Sequence, residues 1–128
     1  MKVFCLGNEY FENDSYAIKL CRTLKSSPFN PIECQSADTF LEEVKGEKKI
    51  CIIDVVKGID DVKLLKQNDI RTNNLKTAHD FDIGFFMSLL KEMGELAEIT
   101  IIGIPQREPD NDIINKVKSK LKKFKGKY

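Results

Sequence analysis

The sequence predicts an α/β fold, a single three-layer sandwich in which helices cover both faces of a mostly parallel mixed sheet of about five strands. Short apolar runs alternate with stretches whose apolar residues recur at helical spacing, and this alternation favours parallel strands joined by crossover helices. The run Ile50–Val56 is apolar except for one acid, as expected of a strand covered on both faces. A chain of 128 residues can bury one core, so we expect a single domain over residues 1–128.

The spacing of apolar residues predicts the order of the helices and strands along the chain. The first part of the chain predicts a strand at about 2–6, a helix at about 14–26, a strand near 31–36, a short helix at about 38–45 and a strand at 49–56. After Gly58, the segments Val62–Lys66 and Asn68–Ile70 predict a strand that pairs locally before a loop at 71–78. The fold is completed by a helix at about 82–93, a strand at about 99–104 and a terminal helix at about 110–124.

Charge and hydropathy narrow the classes of partner. The chain carries 21 basic and 20 acidic residues, so its net charge of +1 favours neither nucleic acid nor an acidic substrate. No apolar run approaches the length of a membrane span, and no signal peptide precedes the first strand. We therefore expect a cytoplasmic protein with no nucleic-acid or membrane partner.

The four cysteines are expected to be structural rather than catalytic. Cys5, Cys21, Cys34 and Cys51 form no Cys-x-x-Cys pair, and each falls in a predicted strand or on the apolar face of a predicted helix. This placement predicts buried, reduced thiols. Thiol catalysis is disfavoured because the one histidine falls in a loop, away from the cysteines.

The last 13 residues are strongly basic, with seven lysines and no acid in Lys116–Tyr128. Apolar residues recur beneath these lysines at helical spacing, namely Ile113, Ile114, Val117, Leu121 and Phe124. The pattern predicts a docked amphipathic helix whose lysines face water and the negative end of the helix dipole. An acidic partner surface or nucleic acid is the alternative interpretation of the same lysines.

Three polar residues stand where strands end or helices begin. Asp14 follows a first strand that Gly7-Asn8 terminates, and in the simplest interpretation it caps the next helix. Asp54 lies near the end of the apolar run 50–56, where a carboxylate needs a partner or a proton. His79, the only histidine, immediately precedes the helical pattern at 82–93. In open α/β sheets, functional sites lie at the carboxyl ends of the strands, where all three residues are expected.

The spacing of these segments resembles that of the hydrogenase maturation endopeptidases, which trim the C-terminus of the nickel-iron hydrogenase large subunit. The first matching segment runs from Leu6-Gly7-Asn8 to Asp14 and on into the helix. The second is the strand that ends in Asp54. The third is Thr77–His79, followed by a helix, a glycine and the strand Ile99–Pro105. With the connecting elements, the resemblance covers nearly the whole chain.

The resemblance implies an aspartate-dependent protease whose metal-binding and catalytic residues are Asp14, Asp54 and His79. It also implies that the partner is the hydrogenase large-subunit precursor and that the metal is nickel already installed in that substrate. Two carboxylates and one imidazole form an incomplete ligand set with open positions, which suits divalent nickel or zinc. Two roles stay open for these residues, namely metal-assisted hydrolysis and general-base action by Asp14 or Asp54.

Two other functions compete with this one. Glu9 stands where proline is usual in the family, and Asn13 replaces the first member of an acidic pair. These departures keep open a non-catalytic, metal-binding assembly chaperone of the large subunit that uses the same three residues. Peptidyl-tRNA hydrolase also begins with a strand that ends in Gly-Asn, but it needs a histidine soon after that motif, where this chain has Asn13-Asp14.

Overall fold

The computed structural model describes residues 2–66, 92 and 98–125. Within these residues the strands are β1 (Lys2–Leu6), β2 (Ile32–Cys34), β3 (Lys49–Val55), β4 (Lys63–Lys66) and β5 (Glu98–Ile104). The helices with defined bounds are α1 (Glu12–Leu24), α2 (Ala37–Val44) and α3 (Asn111–Lys125). The predicted loop at 71–78 and helix at 82–93 lie outside the described residues, apart from Glu92, which is helical.

The strands form one mixed sheet in the order β2-β1-β3-β5-β4. The first four strands of that order run parallel, whereas β4 is antiparallel to β5. The mostly parallel mixed sheet predicted from the sequence is therefore confirmed. The ends of β1, β2, β3 and β5 meet along one side of the sheet, called here the carboxyl edge. Among the described residues β4 pairs with β5, a strand much later in the chain. The segment 68–70, which was predicted to take part in local pairing, lies outside the described residues.

Helices cover both faces of the sheet, as predicted. Helices α1 and α3 pack on one face, where Ile18 and Val117 join a cluster with Cys51 and Ile53 of β3. Helix α2 packs on the other face, where Phe40 joins a second cluster containing Ile52. β3 lies between β1 and β5, and all its residues from Ile50 to Val55 are buried. Burial on both faces explains why this strand is apolar without alternation.

The terminal helix is docked as its periodicity predicts. Ile113, Val117 and Leu121 are buried against the sheet, with Ile114 and Phe124 partly buried beside them. Lys116 forms ion pairs with Asp61, which follows β3, and with Asp112 one turn earlier in α3. Within the described part of the chain, none of the helices is long and apolar enough to cross a membrane.

All four cysteines are buried and free, which confirms the sequence prediction. Burial raises the pKa of the Cys34 and Cys51 thiols to about 12. Burial and a hydrogen bond with Cys21 raise the pKa of Cys5. The same hydrogen bond lowers the pKa of Cys21, but this thiol is also fully buried.

We expect the native protein to resist labelling by an aromatic disulfide reagent at pH 8. A raised pKa keeps Cys5, Cys34 and Cys51 protonated at that pH, and burial shields Cys21 from the reagent. Absorbance of the released thiolate should report slow reaction before denaturation and four equivalents in denaturant. Rapid release from the native protein would contradict the buried placement of these side chains.

Candidate functional site at the carboxyl edge

The turn between β1 and α1 is organised by Asn8. Its side-chain Oδ1 accepts a hydrogen bond from the Tyr10 backbone N–H at 2.9 Å, and its backbone carbonyl accepts one from the Phe11 N–H at 3.3 Å. Asparagine favours such turns because its side chain can imitate a backbone acceptor. The compact turn lets α1 begin at Glu12, two residues before the predicted start.

Asp14 is the third residue of α1, and the N-cap is Phe11. The interpretation of Asp14 as the helix cap is therefore wrong. The Asp14 backbone N–H donates to the Phe11 carbonyl at 3.0 Å, and the Asp14 carbonyl accepts from the Asn8 N–H at 3.2 Å. The residue is only 4% exposed. Its carboxylate lies in the first turn of α1, where the helix dipole favours a negative charge.

Gly7 allows this close contact between the turn and the helix. A Cβ atom at residue 7 would lie 2.2 Å from the backbone oxygen of Asp14, a distance that real Cβ atoms do not reach. The Gly7 N–H also donates to the Cys34 carbonyl at 3.3 Å, which extends the pairing of β1 with β2. Glycine is thus required here by close backbone approach, and it positions Asp14 at the end of β1.

Asp54 is the next-to-last residue of β3 and is fully buried. It lies opposite Gly103 of β5, and the preceding Ile53 lies opposite Cys5 of β1. Asp54 therefore sits at the carboxyl edge, between the ends of two neighbouring strands. Burying a carboxylate is unfavourable compared with burying an apolar side chain of similar size. Core packing alone would favour an apolar residue at this position.

The structure thus places Asp14 and Asp54 at the carboxyl edge. Asp14 lies in α1, which follows β1, and Asp54 lies in β3, which pairs with β1. Residues alternate between faces along a strand, so Asp54 shares a face of β3 with Ile52, on the side covered by α2. Asp14 belongs to α1, which packs on the opposite face. The two carboxylates therefore approach the edge from different sides of the sheet. His79 lies outside the described residues, so the meeting of all three side chains stays a prediction.

The described residues hold two of the three predicted metal ligands. Among residues 2–66, 92 and 98–125, no group of three or more His, Cys, Asp or Glu side chains could hold a metal ion. The predicted ligand set has two members in this part of the chain, Asp14 and Asp54, and its third member is His79. Two carboxylate oxygen donors and an imidazole nitrogen suit a divalent transition metal chemically.

Arg22 of α1 anchors the turn, a role that the sequence analysis did not assign. Its guanidinium contacts Glu9 at 2.5 Å and Glu33 of β2 at 2.9 Å. Hydrogen bonding to Arg22 lowers the pKa of Glu33, and the pKa of Arg22 is raised in turn. The Glu9 backbone N–H donates to Gln35 Oε1 at 3.0 Å, a bond that a proline at residue 9 could not make. The departure at Glu9 therefore has a structural role.

A family model for HycI, hydrogenase maturation protease, matches residues 35–125, which is more than half of the chain. The chain belongs to the hydrogenase maturation protease family. Members of this family are endopeptidases, so the chain is assigned to the peptidases and not to the peptidyl-tRNA hydrolases. The matched range contains Asp54 and His79 but begins after Asp14. The case for Asp14 therefore rests on the turn geometry and on the sequence pattern.

Solved structures of low sequence identity share the fold. The endopeptidase HycI from Escherichia coli is 18% identical with a TM-score of 0.64, and the match covers 97% of this chain and 90% of that one. The [NiFe] hydrogenase maturation protease HycI from Thermococcus kodakarensis is 16% identical with a TM-score of 0.58, covering 91% of this chain and 85% of that one. An uncharacterised protein from Wolinella succinogenes is 18% identical with a TM-score of 0.61, covering 98% and 96%. A search of curated proteins finds no match.

We expect Gly7→Ala to destabilise the protein more than Gly103→Ala. The new methyl group at residue 7 would meet the Asp14 backbone oxygen at 2.2 Å, whereas at residue 103 it would meet a side-chain atom, Val56 Cγ2, at the longer distance of 2.9 Å. Overpacking typically costs about 1–3 kcal/mol, and Gly7→Ala should reach the upper part of that range. Urea unfolding of both variants measures the difference, and equal losses of unfolding free energy would contradict the close contact at Gly7.

Proposed function

We propose that this chain removes a C-terminal peptide from the nickel-loaded large-subunit precursor of a nickel-iron hydrogenase. The observation that carries the proposal is the placement of two buried carboxylates, Asp14 and Asp54, at the carboxyl edge of a hydrogenase maturation protease fold. We infer that His79 completes the site. The reaction is expected to take place in the cytoplasm.

The chemistry of these residues supports recognition of a metal carried by the substrate. Carboxylate oxygens from Asp14 and Asp54 and the imidazole of His79 would supply three donors. A divalent ion accepts more than three donors, so the substrate's own ligands and water can occupy the rest. On this proposal the protease acts on a precursor only when nickel is present to join the two molecules.

General-base action is the second role open to the same residues. A carboxylate within hydrogen-bonding reach of a water molecule can take its proton as the water attacks the peptide carbonyl. Asp54 is fully buried and Asp14 nearly so, and both lie at the carboxyl edge, where functional sites of open α/β sheets are placed. Both residues are therefore candidates for the base, and replacing either of them should abolish cleavage.

Asp14→Asn, Asp54→Asn and His79→Ala are expected to stop trimming of nickel-loaded precursor while the protein remains folded. Asparagine keeps the shape of aspartate and removes a buried charge, so the melting temperature should not fall substantially. Mobility of the precursor in a denaturing gel measures trimming, and thermal melts measure folding.

Asp112→Asn is the matched control for these variants, because Asp112 is an exposed carboxylate on α3 that pairs with Lys116. It should trim like the wild type. Normal trimming by the Asp54 or His79 variant would overturn the proposed site. Binding of the precursor without any shortening by the wild type would instead indicate the assembly chaperone.

Titration with nickel separates the metal-ligand role from the general-base role. We expect the wild type and Asp112→Asn to bind Ni²⁺ with modest affinity, because three protein donors leave coordination positions open. Binding should weaken by about tenfold or more in Asp14→Asn and in His79→Ala, as is typical when the ligand set of a metal site is disturbed. Isothermal titration calorimetry measures these affinities. Equal affinities in all four proteins would exclude metal ligation by Asp14 and His79, and general-base action would remain.

A further inference from the structure

Two neighbouring aromatic side chains project from the turn between β1 and α1. Tyr10 is 84% exposed and Phe11 is 59% exposed. In the described part of the chain, the other exposed large apolar side chain is Leu64 on β4. Single exposed apolar residues are common on protein surfaces. An adjacent aromatic pair is a stronger signal, because aromatic residues are enriched in binding interfaces.

Phe11 occupies a position where another residue would serve the helix better. It is the N-cap of α1 and makes no capping hydrogen bond through its side chain. Serine, threonine, asparagine and aspartate are preferred at this position because their side chains accept a hydrogen bond from the helix. Phe11 therefore contributes neither capping nor full burial. This second observation indicates that the aromatic ring serves something outside the fold.

The turn holds the pair in a defined place. The Tyr10 and Phe11 backbone N–H groups both donate to Asn8, and the preceding residue Glu9 is bound by Arg22 and Gln35. A contact surface that is already ordered loses less entropy on binding than a flexible one. Acidic residues flank the pair on both sides: Glu9 is paired with Arg22, and Glu12 lies 3.5 Å from the Tyr16 hydroxyl. The two rings between them supply the exposed apolar surface.

We propose that Tyr10 and Phe11 form the docking contact for an apolar side chain of the precursor close to the scissile bond. This inference rests on the proposed protease function. The Phe11 carbonyl accepts a hydrogen bond from the Asp14 N–H at 3.0 Å, so the aromatic pair adjoins the helical turn that carries the candidate catalytic carboxylate. The backbones of these two residues are therefore in direct contact. Each residue of an extended peptide spans about 3.3 Å, so neighbouring residues of one bound peptide would reach both places.

The test compares Tyr10→Ser, Phe11→Ser and Leu64→Ser in precursor trimming and in binding. Leu64→Ser is the matched control, because it removes an exposed apolar side chain from β4. β4 is an edge strand of the sheet, separated from β1 by β3 and β5. We expect the two turn variants to raise KM about three- to tenfold with kcat unchanged, the effect of losing one aromatic contact. Leu64→Ser should behave like the wild type.

Phe11→Ser has a further diagnostic value, because serine is a favoured N-cap. Its melting temperature should equal or exceed that of the wild type while KM rises, so a loss of affinity cannot be attributed to unfolding. The rise in KM should also be insensitive to salt, because the contact is apolar. Unchanged KM in both turn variants would overturn the inference and leave the protease function intact.

A direct binding measurement separates the two proposals. Fluorescence anisotropy of labelled, nickel-loaded precursor reports binding whether or not cleavage occurs. If the wild type binds without cleaving and both turn variants lose affinity, the docking contact is supported and the protease function fails. If the wild type neither binds nor cleaves, both proposals fail. If the wild type is a dimer and the turn variants are monomers, the pair is a contact between copies of this chain and the docking inference is overturned.

Discussion

The close contact between Gly7 and the Asp14 backbone is the constraint on which the candidate site depends. It fixes the start of α1 against the end of β1, because the Asp14 carbonyl accepts a hydrogen bond from Asn8 in the same turn. A side chain at residue 7 would separate the helix from the strand by more than the turn can absorb. The position of Asp14 is therefore set by backbone packing.

Asp54 is held by a different means. It lies in the central strand between β1 and β5, where pairing on both sides fixes the backbone. A carboxylate at this depth opposes the burial of apolar surface that stabilises the sheet. The strand tolerates this carboxylate because the surrounding core is extensive. All the remaining residues from Ile50 to Val55 are apolar and buried. Sites placed on such rigid elements keep their geometry more accurately than sites on loops.

The turn between β1 and α1 departs from the residue preferences of a helix start. Phe11 is a poor N-cap, and Tyr10 beside it is largely exposed, yet the turn is well ordered. Order comes from Asn8 and from the ion pairs of Arg22 with Glu9 and Glu33. Where sequence preference and structure disagree in this way, functional sites are the usual cause. The stability of the turn is thus supplied by polar contacts, so its aromatic rings remain exposed.

The sequence by itself determined the order of the described elements, the mostly parallel sheet, and the location of Asp14 near a helix start and of Asp54 near a strand end. These features follow from hydrophobic periodicity and turn residues, which act over a few positions of the chain. Only the tertiary structure decided that β4 pairs with β5, that Asp54 and α1 lie on different faces of the sheet, and that Tyr10 and Phe11 are exposed. Strand partners and exposure depend on residues distant in sequence, and an aromatic pair before a helix would ordinarily be expected to be buried.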